Sequence, residues 1–544
     1  MKNKKKILSL IACLSLLSSC NKTTPSSRSC SITTSTPTSS VTPSKTVEEL
    51  NKELFENYAI TTAYDDGTCA LTDFKDDILQ EYLNLETIII PETIKGVTLT
   101  ELNTKSNGLF VNFLKLKTIK IPSTINNIKY NSQSSASSPF INLPNLEDIE
   151  VDENNEYYYI KGDCLIRKSD NTIICGWKDV EIPEEITEIR NYVFSYNNSI
   201  TSIKLNPNIV LNGIGEFSLR GLDNLQNIDL NNNPNYTIEE GSNVLYSNDT
   251  HPKIITAWGD CKLPTKFTSL NSSNNFIKTN VTSITISASL TNIDYTSFIN
   301  CSKLQNIIFS DDSIFKEDSY FIINKNTNDV VSAFGDTYVK ELVVPSYVKS
   351  LQSILYYFKK LEKLTLNEGL TSLGSDGTIM FNDKECHVKE IKFPSTVEKI
   401  ANGTFSRMAS LENIDISSNS RFKYENGILS DENNNKIIAY GDVDLSNILD
   451  LTNPEMQLTG DYSITSIKFS LNSKVGYYTF YFLQNIHVYI SDIKCKNIYL
   501  ADGDEEKFKS WDGYNYLKQV NDSIKKQITV HFDDGTTKNL FDLF

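Results

Sequence analysis

Apolar and polar residues alternate in short runs along most of this chain, and a proline or a polar turn closes many of the runs. Val388–Pro394 (VKEIKFP) is one example, and further apolar residues follow it at Val397, Ile400, Phe405 and Leu411. Strict alternation predicts a short β-strand with one buried face. A proline directly after the strand ends the hydrogen-bonded ladder, because proline has no N–H to contribute.

The same pattern returns at a nearly fixed spacing. Equivalent strand positions lie about 23 residues apart, as in Val180 and Ile203 or Ile391 and Ile414. One such unit cannot bury its apolar face alone, but stacked units form a parallel sheet over a continuous apolar core. The period therefore predicts a mostly β repeat solenoid. The segments that carry the pattern are Leu116–Pro122, Val180–Pro183, Val281–Ile286, Val339–Pro345 and Val388–Pro394.

Four longer segments interrupt the repeats, each with two apolar runs joined by a polar turn. They span Tyr157–Asp179, Tyr236–Asp260, Phe315–Asp336 and Phe422–Asp442. Two apolar runs around a short polar turn predict a β-hairpin. The turns are expected at Ser169-Asp170, Asn248-Asp249, Asn326-Thr327 and Glu432-Asn433.

These repeats resemble the BspA-like class of leucine-rich repeats, whose pattern is Leu-x-x-Ile-x-Ile-Pro-x-x-Ile/Val-x-x-Ile-x-x-x-x-Phe-x-x-Cys-x-x-Leu. The resemblance extends from about Tyr58 to about Val520, and inserted hairpins are common in that family. It implies an opening unit at Ile90–Leu99 and a strand-plus-helix cap at Asn497–Val520. Caps are expected because an open end of such an array exposes core and strand edge. A terminal hairpin turning at Asp534-Gly535 is expected after the cap.

The first twenty residues have the order of a bacterial lipoprotein signal. A basic stretch, Met1–Lys6, precedes an apolar stretch, Ile7–Leu17, that is too short to span a bilayer. The Leu-Ser-Ser-Cys motif that ends at Cys20 resembles a lipobox. The resemblance implies that the Cys20 sulfur is lipidated and that cleavage occurs just before it. Two or three acyl chains on Cys20 would anchor the protein stably, whereas a secretory signal with a chance cysteine is the alternative.

A segment rich in Ser, Thr and Pro separates Cys20 from the first repeat. It cannot bury enough apolar surface to offset the entropy of ordering, so we predict a disordered stalk. The predicted organisation is a signal peptide (1–19), the lipidated cysteine with its stalk (20–46), an N-terminal cap with the first repeat (47–115), the repeats with their hairpins (116–496), and a C-terminal cap with the terminal hairpin (497–544).

The charge balance is acidic, with 52 Lys and Arg residues against 68 Asp and Glu residues. Removal of the signal peptide would take four lysines with it and make the balance still more acidic. A surface of that sign repels the phosphate backbone, so nucleic acid is not an expected partner. It also disfavours docking on anionic lipid through basic residues, so the acyl anchor is the expected membrane contact.

The motif search favours binding over catalysis. No Walker loop, GxSxG, HExxH or CxxC motif occurs in the sequence, so no enzyme activity, cofactor or metal is expected. The acidic runs Asp152–Asn155 and Asp431–Asn435 lack EF-hand spacing, and turn formation explains them better than calcium does. Cys301 occupies the cysteine position of the repeat and is expected to be buried. Cys164 and Cys175 flank the first hairpin turn symmetrically, so we expect them opposite one another, as a disulfide or as two packed thiols.

The polar face of the repeat sheet is the best candidate for binding. Side chains between the buried positions are expected to point outward, where charges of both signs alternate with neutral residues. These residues are Lys120, Glu150, Lys204, Asp229, Thr285, Val343, Thr365, Lys392 and Asp415. Taken singly, each is also explained by a solvated surface, so no individual ligand contact is assigned.

Anchor, stalk and repeat surface together favour a cell-surface lipoprotein that binds protein or glycan ligands on the outer side of a bacterial membrane. Members of the BspA-like family are associated with attachment to host matrix proteins and to other bacteria. The resemblance therefore implies an adhesin whose partners are host or bacterial surface proteins. Two other hypotheses stay open: capture of glycans or nutrients for a neighbouring transport system, and a structural role in the envelope. Exposed aromatic residues along one face would favour glycan capture.

Overall fold

A computed structural model of the chain shows parallel β-repeats with short helices near both ends. The chain divides into two units, Met1–Thr46 and Val47–Phe544, and the elements below belong to the second. The structure describes residues 45–103, 108–129, 139–189, 193–211, 218–272, 275–351, 354–355, 358–374, 387–401, 403–405, 408, 410–448, 450–452, 458, 463–483, 494–501 and 505–544.

In the described residues, the repeats form short parallel strands in five successive sheets, which together we call the main ladder. Each three-residue strand places one apolar residue in the core between two outward residues, as the alternation predicts. Equivalent positions pair directly, so Val180 lies opposite Ile203 and Ile203 opposite Ile228. The strands are Thr87–Ile89, Thr118–Ile121, Asp148–Val151, Asp179–Glu181, Ser202–Lys204, Asn227–Asp229, Ile254–Lys262, Asn280–Ile286, Asn306–Phe309, Glu341–Val343, Lys363–Thr365, Glu390–Lys392, Asn413–Asp415, Gly441–Asp444, Ile464–Ser470, Asn497–Ala501 and Thr529–His531.

A second ladder forms on the return stroke of the repeats, where the sequence has its Ile/Val pairs. Its parallel pairs are Val97–Leu102 with Asn127–Ile128, Ser269–Leu270 with Asn292–Ile293, Ser350–Leu351 with Ser372–Leu373 and Lys399–Ile400, and Asp450–Leu451 with Lys474–Val475. A single bridge joins Glu188 to Val210. Apolar residues of both ladders fill the space between them, which confirms the predicted mostly β repeat solenoid.

Each predicted hairpin is present, but it has three antiparallel strands rather than two. The predicted turns lie between the second and third strands. An additional first strand begins at the aromatic residue that starts three of the insertions, and at Tyr158, one residue after the predicted start, in the first. We call these insertions meanders. They are Tyr158–Lys161, Cys164–Arg167 and Thr172–Gly176; Tyr236–Ile238, Val244–Ser247 and Ile254–Lys262; Phe315–Asp318, Phe321–Asn324 and Val330–Ala333; and Phe422–Glu425, Ile428–Asp431 and Lys436–Ala439.

The first meander corrects the expectation that Cys164 lies opposite Cys175. A β-bulge between Leu165 and Ile166 shifts the register by one residue, so Cys164 pairs with Gly176 and Cys175 pairs with Leu165. The two thiols therefore lie on opposite faces of the meander, with Cys175 in one hydrophobic core and Cys164 in the next. Both are buried and free.

The turn between the first two strands of the first meander lies against the strand that restarts the main ladder. The backbone oxygen of Gly162 in this turn accepts a hydrogen bond from Glu181 N at 2.9 Å. Gly162 has φ +62°, and a Cβ atom there would lie 2.0 Å from the Glu181 oxygen. This position therefore requires glycine for both its backbone conformation and the close approach.

The two ends of the array carry the remaining elements. At the start are the helices Val47–Tyr58 and Gln80–Leu83 and the strands Ala59–Ala63, Thr68–Phe74 and Thr93–Ile94; at the end are the helices Glu505–Lys509, Asp512–Leu517 and Asp522–Lys525, the strand Thr537–Asn539, and 3-10 segments at Tyr477–Leu483 and Leu540–Leu543. Thr537–Asn539 pairs antiparallel with Thr529–His531 around the predicted Asp534-Gly535 turn. Across the described ranges, no helix has both the length and the apolar composition needed to cross a membrane.

Candidate interaction surface

Each strand of the main ladder presents an outward side chain after its buried position. Within each sheet, neighbouring strands are in register, so this side chain stands beside its counterpart in the next repeat. We call this series of side chains the outer row. It consists of Ile89, Lys120, Glu150, Glu181, Lys204, Asp229, Lys262, Thr285, Ile308, Val343, Thr365, Lys392, Asp415, Asp444, Lys468, Tyr499 and His531. The nine outward residues expected from the sequence all belong to it, and none of them is buried.

Most charges in the outer row are paired between adjacent strands. Lys120 contacts Glu150 at 2.8 Å, and Lys204 contacts Glu181 at 2.5 Å. The hydrogen bond to Glu150 raises the pKa of Lys120 above its ordinary value. Similar pairs join Lys392 with Asp415 and Lys468 with Asp444. Exposed pairs of this kind add little stability, but each cancels its own field, so they give the face no single sign.

A second set of carboxylates ties successive strands together at the residue before the buried position. The Asp179 carboxylate accepts hydrogen bonds from Thr201 Oγ1 at 2.7 Å and Ser202 Oγ at 3.0 Å. Asp442 accepts in the same way from Thr465 and Ser466. These hydroxyl donors lower the pKa of both carboxyls. Each carboxylate is therefore hydrogen-bonded to hydroxyl groups of the following repeat rather than free to contact a ligand.

The middle of the outer row is different because it carries apolar side chains. Ile308 is 53% exposed and Val343 is 48% exposed, although both belong to regular strands. Thr285 pairs with Ile308 and Thr365 with Val343, so the strand partner of each is uncharged. The strands of Ile308 and Val343 lie at the ends of two successive sheets. A partner that covers exposed apolar residues removes apolar area from water, which favours association.

The C-terminal end of the outer row carries its aromatic pair. Tyr499 and His531 stack on each other, with ring centroids 4.4 Å apart and planes inclined by 20°. His531 Nε2 also lies 2.8 Å from Asn497 Oδ1. Since the rings face each other, they stabilise the cap and do not form an open platform along the sheet.

The structure also shows buried asparagines that the sequence analysis did not single out. Asn206 Nδ2 donates to Pro183 O at 2.7 Å and to Ile186 O at 2.8 Å, both in the preceding repeat. Asn155, Asn233 and Asn419 make the same pair of bonds to the repeat before each of them. The last three stand three residues before the first aromatic residue of a meander, and this Asn-x-x-Tyr/Phe recurrence is the signal that could have found them.

Other residues considered for chemistry have structural roles. Asp152 accepts hydrogen bonds from Asn154, and Asp431 accepts them from Asn433 and Asn435, so these carboxylates close their own turns. In the ranges that the structure describes, no three His, Cys, Asp or Glu side chains come close enough to hold a metal ion.

Cys301 is fully buried, and its thiol donates to Phe276 O at 2.8 Å. Desolvation raises its pKa to about 12, so it stays a neutral thiol. Cys20, the predicted lipidation site, lies outside the described residues.

A protein-family model described as the BspA-type leucine-rich repeat region matches six segments of the chain. The matched residues are 28–138, 173–305, 254–331, 272–376, 330–442 and 380–500. Together these ranges include most of the repeats and all but the first of the meanders. No curated protein matches the chain significantly.

Several solved structures are similar to the chain at low identity. A leucine-rich cell surface protein from Faecalibacterium prausnitzii has 18% identity, a TM-score of 0.24, and matched shares of 66% of this chain and 93% of its own. A leucine-rich repeat protein from Eubacterium ventriosum has 14% identity, a TM-score of 0.27, and shares of 82% and 83%. The pneumococcal vaccine antigen PcpA has 13% identity, a TM-score of 0.26, and shares of 85% and 94%.

Proposed function

Because the chain belongs to the BspA-type leucine-rich repeat family, we propose that it is a bacterial surface lipoprotein that binds other surface proteins through its outer row. In this proposal Cys20 carries the lipid, residues 20–46 form a stalk, and the repeats face outward from the membrane. The protein acts as an adhesin, with host or bacterial surface proteins as partners. Binding rather than catalysis is its role.

The observation that carries the proposal is the contrast within the outer row. Most of its charges are paired with a charge on a neighbouring strand, while Ile308 and Val343 are exposed in regular strands. A ligand that covers these two side chains removes apolar area from water and breaks no ion pair. Full burial of each would contribute about 1–2 kcal/mol, so a partner with a matching apolar surface gains affinity at this point.

The same row supports protein ligands over glycans. Glycan capture would be favoured by exposed aromatic rings in line along the face. The outer row instead has aliphatic residues at its centre, and its aromatic residues, Tyr499 and His531, stack against each other.

Surface exposure is the first test. Brief protease treatment of intact cells should remove the wild-type protein, and Cys20→Ala should release it into the medium. Protection of the wild type until the cells are lysed would contradict an outward-facing adhesin and would favour an envelope scaffold.

The binding face has its own test. The double variant Ile308→Ser with Val343→Ser should weaken binding to host or bacterial surface proteins by about tenfold or more. Leu114→Ser is the matched control, since Leu114 is 62% exposed but lies outside the outer row. Equal binding by the double variant and the control would exclude this region as the contact site.

A further inference from the structure

Three of the meanders end in the motif Ala-aromatic-Gly-Asp, but its aspartate has two different environments. In the second and fourth meanders, Asp260 and Asp442 belong to the next strand of the main ladder and are exposed. Each accepts a hydrogen bond from a threonine hydroxyl of the following repeat, at 2.6 Å and 2.8 Å respectively. In the third meander, a loop of residues 334–340 precedes the strand Glu341–Val343, and Asp336 in this loop is only 2% exposed.

Asp336 lies at the junction of two hydrophobic cores. Before it in the chain, Phe334 belongs to the same core as Cys301 of the preceding repeat. After it, Val339 belongs to the same core as Leu342 of the following strand. The loop therefore joins two blocks of repeats, and Asp336 is a buried acid between them.

The hydrogen bonds of Asp336 reach both blocks. Its Oδ2 accepts from Asn300 N in the preceding repeat at 2.8 Å, and its backbone oxygen accepts from Lys359 N in the following repeat at 2.9 Å. One repeat earlier, the equivalent N–H of Lys278 donates to a backbone oxygen, that of Ile299, at 3.0 Å. At the junction a carboxylate takes the place of that backbone oxygen, so this contact depends on a group that can be protonated.

The carboxylate of Asp336 is only partly satisfied by hydrogen bonds. Its Oδ1 is buried, and no donor among the described residues reaches it. Burial raises the pKa of Asp336 to about 6, although the N–H of Asn300 and the charge of Lys359 act in the opposite direction. An ionised carboxylate in such a site is less stable than the neutral acid, because one of its oxygens has lost its water without gaining a donor.

The other ionisable groups near Asp336 do not change their charge in mildly acidic or neutral solution. Cys301 comes from the preceding repeat and Tyr338 from the loop itself, and burial raises the pKa of each to about 12. Lys359, from the following repeat, and Arg220, which acts on Cys301, are cations throughout this range. Asp336 is therefore the group of this set that titrates between pH 4 and 7.

We propose that residues 334–340 form a pH-sensitive joint, closed while Asp336 is protonated and opening locally once it is ionised. The pKa of Asp336 is about 6 in the closed joint, against an ordinary value of 3.8 once water reaches it. The closed joint is therefore fully stabilised below about pH 4 and loses that stabilisation as the pH rises through 6. The equilibrium constant for opening should rise about 50-fold between pH 4 and 7.

Thiol labelling of Cys301 measures the opening, because this fully buried side chain lies beside Asn300, the donor to Asp336. The full chain carrying Cys20→Ala is treated with a pyridyl disulfide, which reacts in acid as well as neutral solution, and the labelled sites are found by mass spectrometry. Each rate is divided by that of an unstructured cysteine peptide at the same pH. No ligand is added, so the result does not depend on the proposed binding role.

Cys175 of the first meander is the internal control, since it is also buried and free. The corrected labelling rate of Cys301 should rise about 50-fold from pH 4 to 7, and at pH 7 it should exceed that of Cys175 by at least about tenfold, as expected for local opening. Equal rates at both cysteines would mean that the chain opens only as a whole, and this result would overturn the proposal.

Two substitutions in the same motif test the cause. Asp336→Asn removes the ionisable group and should hold the labelling of Cys301 near its pH 4 rate at every pH. Asp442→Asn is the matched control, because Asp442 is exposed at the same position of the fourth meander, and it should leave the Cys301 profile unchanged. A rise that persists in Asp336→Asn would count against the joint. If that variant failed to fold, the contrast between Cys301 and Cys175 in the parent chain would still decide.

Discussion

Substitution of Asn206 measures how strongly one repeat is fastened to the next. Its amide is 1% exposed and makes three hydrogen bonds: two donated to Pro183 O and Ile186 O, and one accepted from Asn208 N at 2.8 Å. Pro183 O keeps a second donor, Ile186 N at 3.1 Å. Among the described residues, the donor to Ile186 O is Asn206, so Asn206→Ala leaves this buried acceptor without that partner.

The magnitude follows from those contacts. Each bond has a net contribution of about 1 kcal/mol, and an unsatisfied buried acceptor costs about 1–3 kcal/mol. Asn208 is exposed, so water can reach its N–H. We therefore expect Asn206→Ala to lower the free energy of unfolding by about 3–4 kcal/mol. Asn206→Asp should be at least as damaging at neutral pH, because a carboxylate cannot donate to the two carbonyls.

Urea denaturation followed by far-UV circular dichroism measures the loss. Hydrogen exchange of the segment 183–210 shows whether the loss is local. Asn208→Ala is the matched control, since it removes an exposed amide two residues away and should change the unfolding free energy by less than about 0.5 kcal/mol. If Asn206→Ala were as stable as this control, the asparagine contacts would have no part in holding the repeats together.

Three further results are expected. Burial raises the pKa of Asp336 to about 6 from an ordinary value of 3.8, so the folded protein keeps a proton that the unfolded chain releases. The free energy of unfolding should therefore fall by up to about 3 kcal/mol as the pH rises from 4 to 6. Asp336→Asn should abolish that fall, as measured by thermal melting at a series of pH values. Arg220 is 7% exposed and donates to Ile254 O, Ile255 O and Asn275 Oδ1. Arg220→Met should lower the free energy of unfolding by about 3–5 kcal/mol, as measured by urea denaturation. Arg220→Lys should recover less than half of that loss, because lysine lacks the planar fork of donors. Gly162→Ala should lower the melting temperature far more than Gly241→Ala. Both glycines have a positive φ, but of the two only at Gly162 would the added Cβ atom meet a backbone oxygen, that of Glu181. Equal losses of melting temperature would contradict this close approach.

Sequence periodicity was sufficient to predict the repeats, because buried apolar residues recur at a nearly constant spacing between residues that are mostly polar. The register of Val180 with Ile203 and the nine outward residues follow from that alternation alone. The turns inside the meanders were predictable for the same reason, since two apolar runs enclose them.

The features that were missed depend on contacts between distant residues or on departures from the regular pattern. The first strand of each meander is short and mixed in polarity, as in Phe422–Glu425, so its pattern is weak. The register at Cys164 follows from a bulge, which adds a residue without any marked change in composition. Asn206 is polar, and its burial depends on carbonyls of the preceding repeat. The apolar centre at Ile308 and Val343 is visible only when the outer row is assembled strand by strand.

Each meander is shared by two cores. In the first, Leu165 and Cys175 pack toward the preceding repeats, while Ile166 and Ile173 pack toward the following ones. A meander therefore separates two hydrophobic cores. If the repeats on one side of it unfold, only the face of the meander on that side is exposed to solvent. Under a pulling force, the chain should therefore yield block by block and lengthen in steps. Each step would lower the tension at the two points where the chain is held.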